Sequence, residues 1–272
     1  MEIVAASTLM LPELTRLWNA GYTDYFVPIQ LDEARMRRHL ECGPVDLSRS
    51  LVVMDGGTPV AFSFLAMRGE RGWIGGFGVA PSHRGRGIAY TLFEAHAARL
   101  AGWGLAHVQL ELFEQNWVRK VYERGGFRVT RRLSLLTGNA PPSGEPLPTI
   151  APAELWPHHA RLHAAAPPSW NREPAWLSCV APAARVLVAG PAEEPEGALL
   201  YEEADGVTRV FDVAAADERV AARLLDALGA VAPGHALRLV NEPDDSPVCR
   251  AWMAAGWVEH SAQLEMHWTA GE

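Results

Sequence analysis

V-A-P-S-H-R-G-R-G-I-A, residues Val79 to Ala89, joins an apolar run to a helix-like run through a turn with two arginines and two glycines in direct alternation, Arg84 to Gly87. A pyrophosphate needs several backbone N–H donors converging on one point. A strand that ends in a glycine-containing turn at a helix N-terminus supplies them. Gly85 and Gly87 carry no side chain that blocks a close approach, Arg84 and Arg86 add cationic field, and Ile88 and Ala89 begin a helix whose dipole favours an anion. Pro81 helps to end the strand before it. Two glycines alone would describe any strand-to-helix turn. The dinucleotide pattern G-x-G-x-x-G is absent, because Tyr90 stands where its third glycine belongs, and no Walker loop occurs.

Outward from this turn the pattern is mixed α/β. Upstream, a strand at Ile3 to Ala6 leads to helical stretches near Leu9 to Ala20 and Leu31 to Cys42, then to an apolar strand at Leu51 to Met54. Asp55-Gly56-Gly57 is a hairpin turn signal, followed by strand-like runs at Pro59 to Met67 and Trp73 to Val79. Downstream come a helix from about Arg86 to Ala101, a strand at His107 to Phe113, a short helix ending near Gly125-Gly126, and a strand at Phe127 to Leu136. The proline-dense stretch Gly138 to Pro152 excludes helix and central strand, which predicts a linker at 139–152 between domains at 1–138 and 153–272.

The second half repeats the order of the first. Arg185 to Ala189, Gly197 to Glu203 and Thr208 to Val213 read as strands, and Ala216 to Leu228 reads as the helix after them. H-V-Q-L-E-L-F followed by a helix and G-G-F-R-V-T-R-R-L-S-L is echoed by A-L-R-L-V-N-E followed by a helix and A-G-W-V-E-H-S-A-Q-L-E-M. An internal duplication of about half the chain is expected. Where the first half has its glycine-arginine turn, the second reads V-A-A-A-D-E-R-V-A, with Asp217 and Glu218 at the helix start. Those charges suit a helix dipole and repel a pyrophosphate, so this half is expected not to bind one.

The 272 residues carry a formal net charge of -8 with 49% hydrophobic and 21% charged residues. That composition predicts a folded chain and argues against a nucleic-acid partner, so phosphate binding has to come from a local site. Cys42, Cys179 and Cys249 form no C-x-x-C, and no zinc cluster is expected from them. His159 and His163 are spaced to share a helix face, but no third ligand lies near them in sequence, so they and His158 are read as surface histidines and no metal is expected. Glu242, Asp244 and Asp245 read as a solvated acidic loop. The N-terminus lacks a basic leader and no apolar run approaches the roughly 20 residues that span a bilayer, so a cytoplasmic protein without membrane partners is expected.

Val79, Pro81, Arg84, Gly85, Gly87, Ile88 and Ala89 resemble the R-x-x-G-x-A/G acetyl-CoA signature of the GCN5-related N-acetyltransferases (GNAT), and the order of elements around them resembles that family too. The resemblance covers roughly Glu2 to Thr137 and, more weakly, Ile150 to Trp268. It implies two tandem GNAT-like acyl-CoA N-acyltransferase domains, the second degenerate, in a monomeric pseudo-dimer or a homodimer. It also implies that the amides of Arg84 to Ala89 hold the acetyl-CoA pyrophosphate while the strand edge Phe77, Gly78 and Val79 pairs with the pantetheine arm. Asn116, Tyr122 and Gly126-Phe127 match further family landmarks, although the usual spacing places the asparagine one residue earlier, at Gln115.

By the same resemblance Asn116 and Tyr122 contact CoA, and Tyr122 donates a proton to the departing thiolate. A phenol of pKa about 10 and a thiol of about 8.5 are close enough for a short transfer. An attacking amine must lose a proton, and Glu111 is the base expected here, with Glu114 as an alternative. The resemblance places the acceptor pocket at the first two helices, where Trp18, Tyr22, Tyr25 and Phe26 accompany Asp24, a composition suited to a cationic small-molecule amine or a peptide N-terminus. The expected reaction is direct attack of that amine on acetyl-CoA in a ternary complex. A CoA-binding regulatory or scaffold protein without turnover is the alternative.

Overall fold

The computed structural model describes residues 1–271, which divide into two compact units. The first comprises Met1–Thr130 and the C-terminal residues from Leu264 onward; the second comprises Arg131–Gln263.

The first unit is built from β1 (Glu2–Ala5), α1 (Leu11–Gly21), α2 (Glu33–Cys42), β2 (Leu51–Asp55), β3 (Thr58–Arg68), β4 (Arg71–Val79), α3 (Ile88–Leu100), β5 (His107–Phe113) and α4 (Arg119–Arg124). Strands β1 to β5 lie side by side in chain order. Each neighbouring pair is antiparallel except β4 and β5, which are parallel and need the crossover helix α3. Gly56 and Gly57 both adopt positive φ, as the tight turn between β2 and β3 requires. Asp32 caps α2 by accepting from the Arg35 N–H at 2.8 Å. One apolar layer packs α1 and α2 on the sheet through Leu14, Trp18, Met36, Phe62 and Phe64; on the opposite face α3 and α4 contribute Leu92, Phe93 and Val121.

The second unit contains most of β6 (Arg128–Asn139), then β7 (Thr149–Ile150), α5 (Pro152–Leu162), α6 (Pro174–Val180), β8 (Arg185–Ala189), β9 (Gly197–Ala204), β10 (Val207–Ala215), α7 (Glu218–Val231), β11 (Ala236–Pro243), α8 (Pro247–Ala254) and the first part of β12 (Val258–Thr269). Strands β10, β9, β8 and β7 form one antiparallel sheet, while β11 pairs with β6. Its core gathers Leu199, Tyr201, Leu224, Leu228 and Trp252.

Both units thus carry the same order of strands and helices, with the parallel pair in the first, and the duplicated α/β architecture stands. The division differs from the proline-rich stretch at 139–152. Strand β6 already belongs to the second unit from Arg131, β12 returns to the first from Leu264, and Thr149–Ile150 pairs with β8 as a short edge strand, a place that tolerates the prolines beside it.

Candidate active site

Strands β4 and β5 pair only from Arg71↔His107 to Trp73↔Gln109 and then part. The cause lies in β4. Against β3 its register shifts, with Leu65 opposite Ile74 and Phe64 opposite Gly76, so Gly75 is an extra, bulged residue. A Cβ at Gly75 would lie 2.3 Å from the Trp73 ring, so any larger residue at this bulge has to displace that ring. A bulge bends its strand, and beyond Trp73 the edge of β4 makes no ladder bonds to β5, so the parting strands leave an unpaired gap, the cleft, beside Gly76–Val79.

At the end of that edge lies the turn. The Arg84 N–H still closes on Pro81 O at 3.2 Å, but the N–H groups of Gly85, Arg86, Gly87, Ile88 and Ala89 donate to no backbone carbonyl among the described residues. Gly85 and Gly87 have φ of 75° and 78°, a conformation that side chains disfavour, and no atom lies within 4 Å of where their Cβ atoms would stand. Unmatched donors at the N-terminus of the thirteen-residue α3, in open space, are a geometry that can cradle an anion. Arg86 is exposed beside it.

Arg84 also has a structural task that the sequence did not show. Its guanidinium donates to three carbonyls, Val79 O at 3.0 Å, Gly21 O at 3.1 Å and Thr23 O at 2.8 Å. It therefore ties the turn to the end of β4 and to the loop after α1, and it keeps its positive charge beside the turn, as Arg86 does.

Three phenols converge on the cleft. Tyr22 directs its hydroxyl to the N–H of Phe77 at 3.4 Å, so this side chain from the end of α1 holds one of the strand-edge donors. Tyr25 packs edge-on to Tyr22 with ring centroids 5.0 Å apart and hydrogen-bonds Asn116. Tyr122 on α4 is buried against Phe77, Phe93 and Phe127 at centroid distances of 5.6, 4.8 and 6.4 Å. Burial first, then the neighbouring phenols Tyr22 and Tyr25, push its hydroxyl well above the usual 10, so it stays protonated at neutral pH.

Asn116 caps the turn into α4, with Oδ1 accepting from the Val118 N–H at 3.1 Å. Its side chain also lies against the Tyr25 hydroxyl. Glu111 lies just where β4 and β5 separate; its carboxylate accepts from Trp73 Nε1 at 2.6 Å and from Gln109 Nε2 at 3.3 Å. Glu114, beyond the end of β5, is exposed.

Of the expected aromatic pocket, Trp18 is a core residue, stacked on Phe62 and donating Nε1 to Ile29 O at 3.1 Å. Tyr25 and Phe26 instead meet Phe113 at 5.8 and 5.5 Å, and Phe26 remains 47% exposed, which makes it a rim residue of the cleft. Asp24 is exposed. His39, which the sequence did not single out, hydrogen-bonds the backbone of Gly75 and lies 6.3 Å from the Trp73 ring. Burial lowers its pKa to about 4, against the Gly75 bond, so it is neutral at pH 7. The glycine pair Gly75-Gly76 inside a strand is the signal that marks this bulge in the sequence.

The second unit is different at the corresponding places. Asp217 Oδ1 accepts from the Val220 N–H at 2.8 Å, and the Ala216 N–H donates to Glu196 O at 2.9 Å, so a carboxylate of the chain itself caps the start of α7. Arg172 bridges β10 and β11, donating to Val213 O at 2.8 Å, Asn241 O at 3.1 Å and the carboxylates of Asp212 and Glu242. Where the first unit keeps a cleft, the second has a guanidinium.

Two expectations fail in this region. His159 and His163 are 4% and 5% exposed and so are not surface residues, because they face Asp212. Glu242 is not solvated either; it is buried on β11 and accepts from Arg172 and Ser246, whereas Asp244 and Asp245 are exposed as expected. Both errors arise because the partners are distant in sequence.

Residues 11–127 match the model of the acetyltransferase (GNAT) family. No curated protein sequence matches the chain. Among solved structures, a tandem GNAT protein from the clavulanic acid biosynthesis pathway is 15% identical, with a TM-score of 0.67 over 100% of this chain and 99% of its own. A GCN5-related N-acetyltransferase from Sphaerobacter thermophilus is 16% identical, with a TM-score of 0.67 over 98% of this chain and 95% of its own. One from Anabaena variabilis is 12% identical, with a TM-score of 0.69 over 98% of this chain and 72% of its own. At these identities the likeness is one of fold, here the tandem GNAT fold.

Proposed function

We propose, on the premise that residues 11–127 are a GNAT-family acyltransferase domain, that this chain transfers an acetyl group from acetyl-CoA to an amine by direct attack in a ternary complex. The observation that carries this reading is the row of undonated N–H groups from Gly85 to Ala89 at the mouth of a cleft between parting strands. Backbone donors fixed in place bind a pyrophosphate without rearrangement. The neighbouring edge of β4 then takes the pantetheine arm, which brings the thioester towards Tyr22, Tyr25 and Tyr122.

In this reading the amine enters past Phe26 and Phe113, and the carboxylate of Glu111 receives its proton directly or through water. Attack on the thioester carbonyl forms the new C–N bond and then breaks the C–S bond. Negative charge develops on sulfur, where Tyr122 donates a hydrogen bond. Because its pKa is raised above that of a thiol, complete proton transfer from Tyr122 to sulfur is uphill, and its main contribution is to stabilise the developing thiolate. The transfer needs no metal.

Aromatic rings with a nearby carboxylate favour a cationic acceptor, a small-molecule amine or a peptide N-terminus. A thiol-release screen with acetyl-CoA against amino acids, polyamines, aminoglycosides and peptides tests the reading. Acetyl-CoA-dependent release with at least one class is expected; tight CoA binding with no release across the panel overturns it.

A further inference from the structure

Helix α5 carries His159, and His163 follows its last residue, so one helical turn separates the two imidazoles and their rings lie 4.4 Å apart. Their Nε2 atoms stand 3.2 and 3.0 Å from the same atom, Oδ2 of Asp212 on β10. All three side chains are buried, and their donor atoms fall within 4.8 Å of one another. Oδ1 of Asp212 accepts from Arg172 Nε at 2.8 Å, which fixes the carboxylate and leaves Oδ2 turned to the imidazoles.

The hydrogen positions this geometry requires are informative. His163 Nδ1 faces the carbonyl oxygen of Ala166 at 3.3 Å, so Nδ1 carries a proton. A neutral imidazole then points the Nε2 lone pair at a carboxylate oxygen 3.0 Å away, a contact between two acceptors that needs a cation with it. The charges agree. Asp212 and Glu242 both touch Arg172, two negative groups against one positive, and the cluster is buried one charge short of neutrality.

A proton would need one nitrogen only. Two imidazole nitrogens and a carboxylate oxygen converging on a point form a ligand set for a divalent transition metal. The backbone carbonyl on His163 Nδ1 and the guanidinium on Asp212 Oδ1 are the outer partners that such ligands usually have. We propose that His159, His163 and Asp212 bind one divalent transition metal of the zinc class, which pins α5 to β10. A hydroxide or other anion as fourth ligand makes the cluster neutral. The site lies in the unit without the acetyl-CoA turn, so its role is to hold that unit together, and it stands independently of the transfer chemistry.

The test uses the full chain, stripped with a chelator and titrated with Co2+ and then Zn2+. One equivalent of Co2+ with the visible bands of tetrahedral coordination is expected, displaced by Zn2+. A melting temperature raised by about 5 °C or more is expected at roughly a hundredfold excess of Zn2+ over Kd. His163→Gln and Asp212→Asn, checked for folding by circular dichroism, should bind none, and His158→Gln should still bind one. No metal bound by the wild-type chain, or equal binding by wild type and His163→Gln, overturns the proposal. So does a nitrogen NMR spectrum in which His163 keeps two N–H protons and Zn2+ changes nothing, since a proton then supplies the missing charge.

Discussion

Arg84→Gln separates two ways in which an arginine can serve an anion site. The guanidinium is exposed, and its three hydrogen bonds end on the carbonyls of Val79, Gly21 and Thr23. Hydrogen bonds from a charged group contribute about 1.5–3 kcal/mol each when well shielded, and exposure reduces that to about a third to a half. The three together then hold the turn in its binding geometry by about 2 kcal/mol. If the turn must be ordered before CoA binds, losing that restraint raises the acetyl-CoA Kd by about 30-fold, because 1.4 kcal/mol is a factor of ten.

The substitution removes a positive charge as well, but that guanidinium is aimed at the three carbonyls, so the loss of affinity should exceed the change in its dependence on salt. Arg86→Gln should do the opposite, weakening binding only a few-fold while flattening its dependence on salt, since Arg86 acts through its field. Calorimetry at two ionic strengths on both variants decides between the roles. An Arg84→Gln protein with unchanged affinity, or one that loses the salt dependence while Arg86→Gln keeps it, refutes the assignment of Arg84 as a carbonyl clamp.

Tyr122→Phe should lower kcat by about 10- to 100-fold with little change in acetyl-CoA affinity, as loss of one donor to a developing charge implies; normal turnover at saturation removes Tyr122 from the reaction. His96 is buried against Ser63, and burial, then Arg99, lowers its pKa to about 3 from 6.5. Between those values the unfolded chain binds a proton that the folded chain refuses, so its contribution is complete above pH 6.5 and is lost as pH falls towards 3. The slope reaches about 1.4 kcal/mol per pH unit. Urea unfolding at pH 7, 6 and 5 should show that loss, and His96→Asn should remove its share while His39, of the same sign, keeps its own. Arg172→Met leaves Asp212 and Glu242 buried without their cation and should destabilise the chain by about 3–5 kcal/mol in denaturant unfolding.

The features legible in the sequence are those with local causes. Alternation and helical spacing mark the strands and helices of both halves, and the turn at Arg84 to Ala89 is visible because glycine, arginine and a helix start are adjacent. The parting of β4 and β5 is only partly visible: Gly75-Gly76 signals a bulge, but which neighbour the strand leaves depends on pairing. The direction of Arg84 is hidden, since its acceptors Gly21 and Thr23 come from the loop after α1. The same holds for His159 and His163, whose partner Asp212 stands on a strand some fifty residues away. Burial and partnership of a charged side chain are long-range facts, and a reading by local pattern assigns such residues to the surface.

The central claim is one acetyl-CoA site per chain, at the turn of the first unit. Gly87 has φ of 78° with open space around its Cβ position, so Gly87→Glu adds about 1–2 kcal/mol of backbone strain without an internal clash, and it puts a negative side chain into the cradle. Titration of acetyl-CoA into the full chain by calorimetry should give one equivalent for the wild type and no measurable binding for Gly87→Glu, with circular dichroism unchanged. Two equivalents in the wild type, or unchanged affinity in a folded Gly87→Glu protein, would contradict the account.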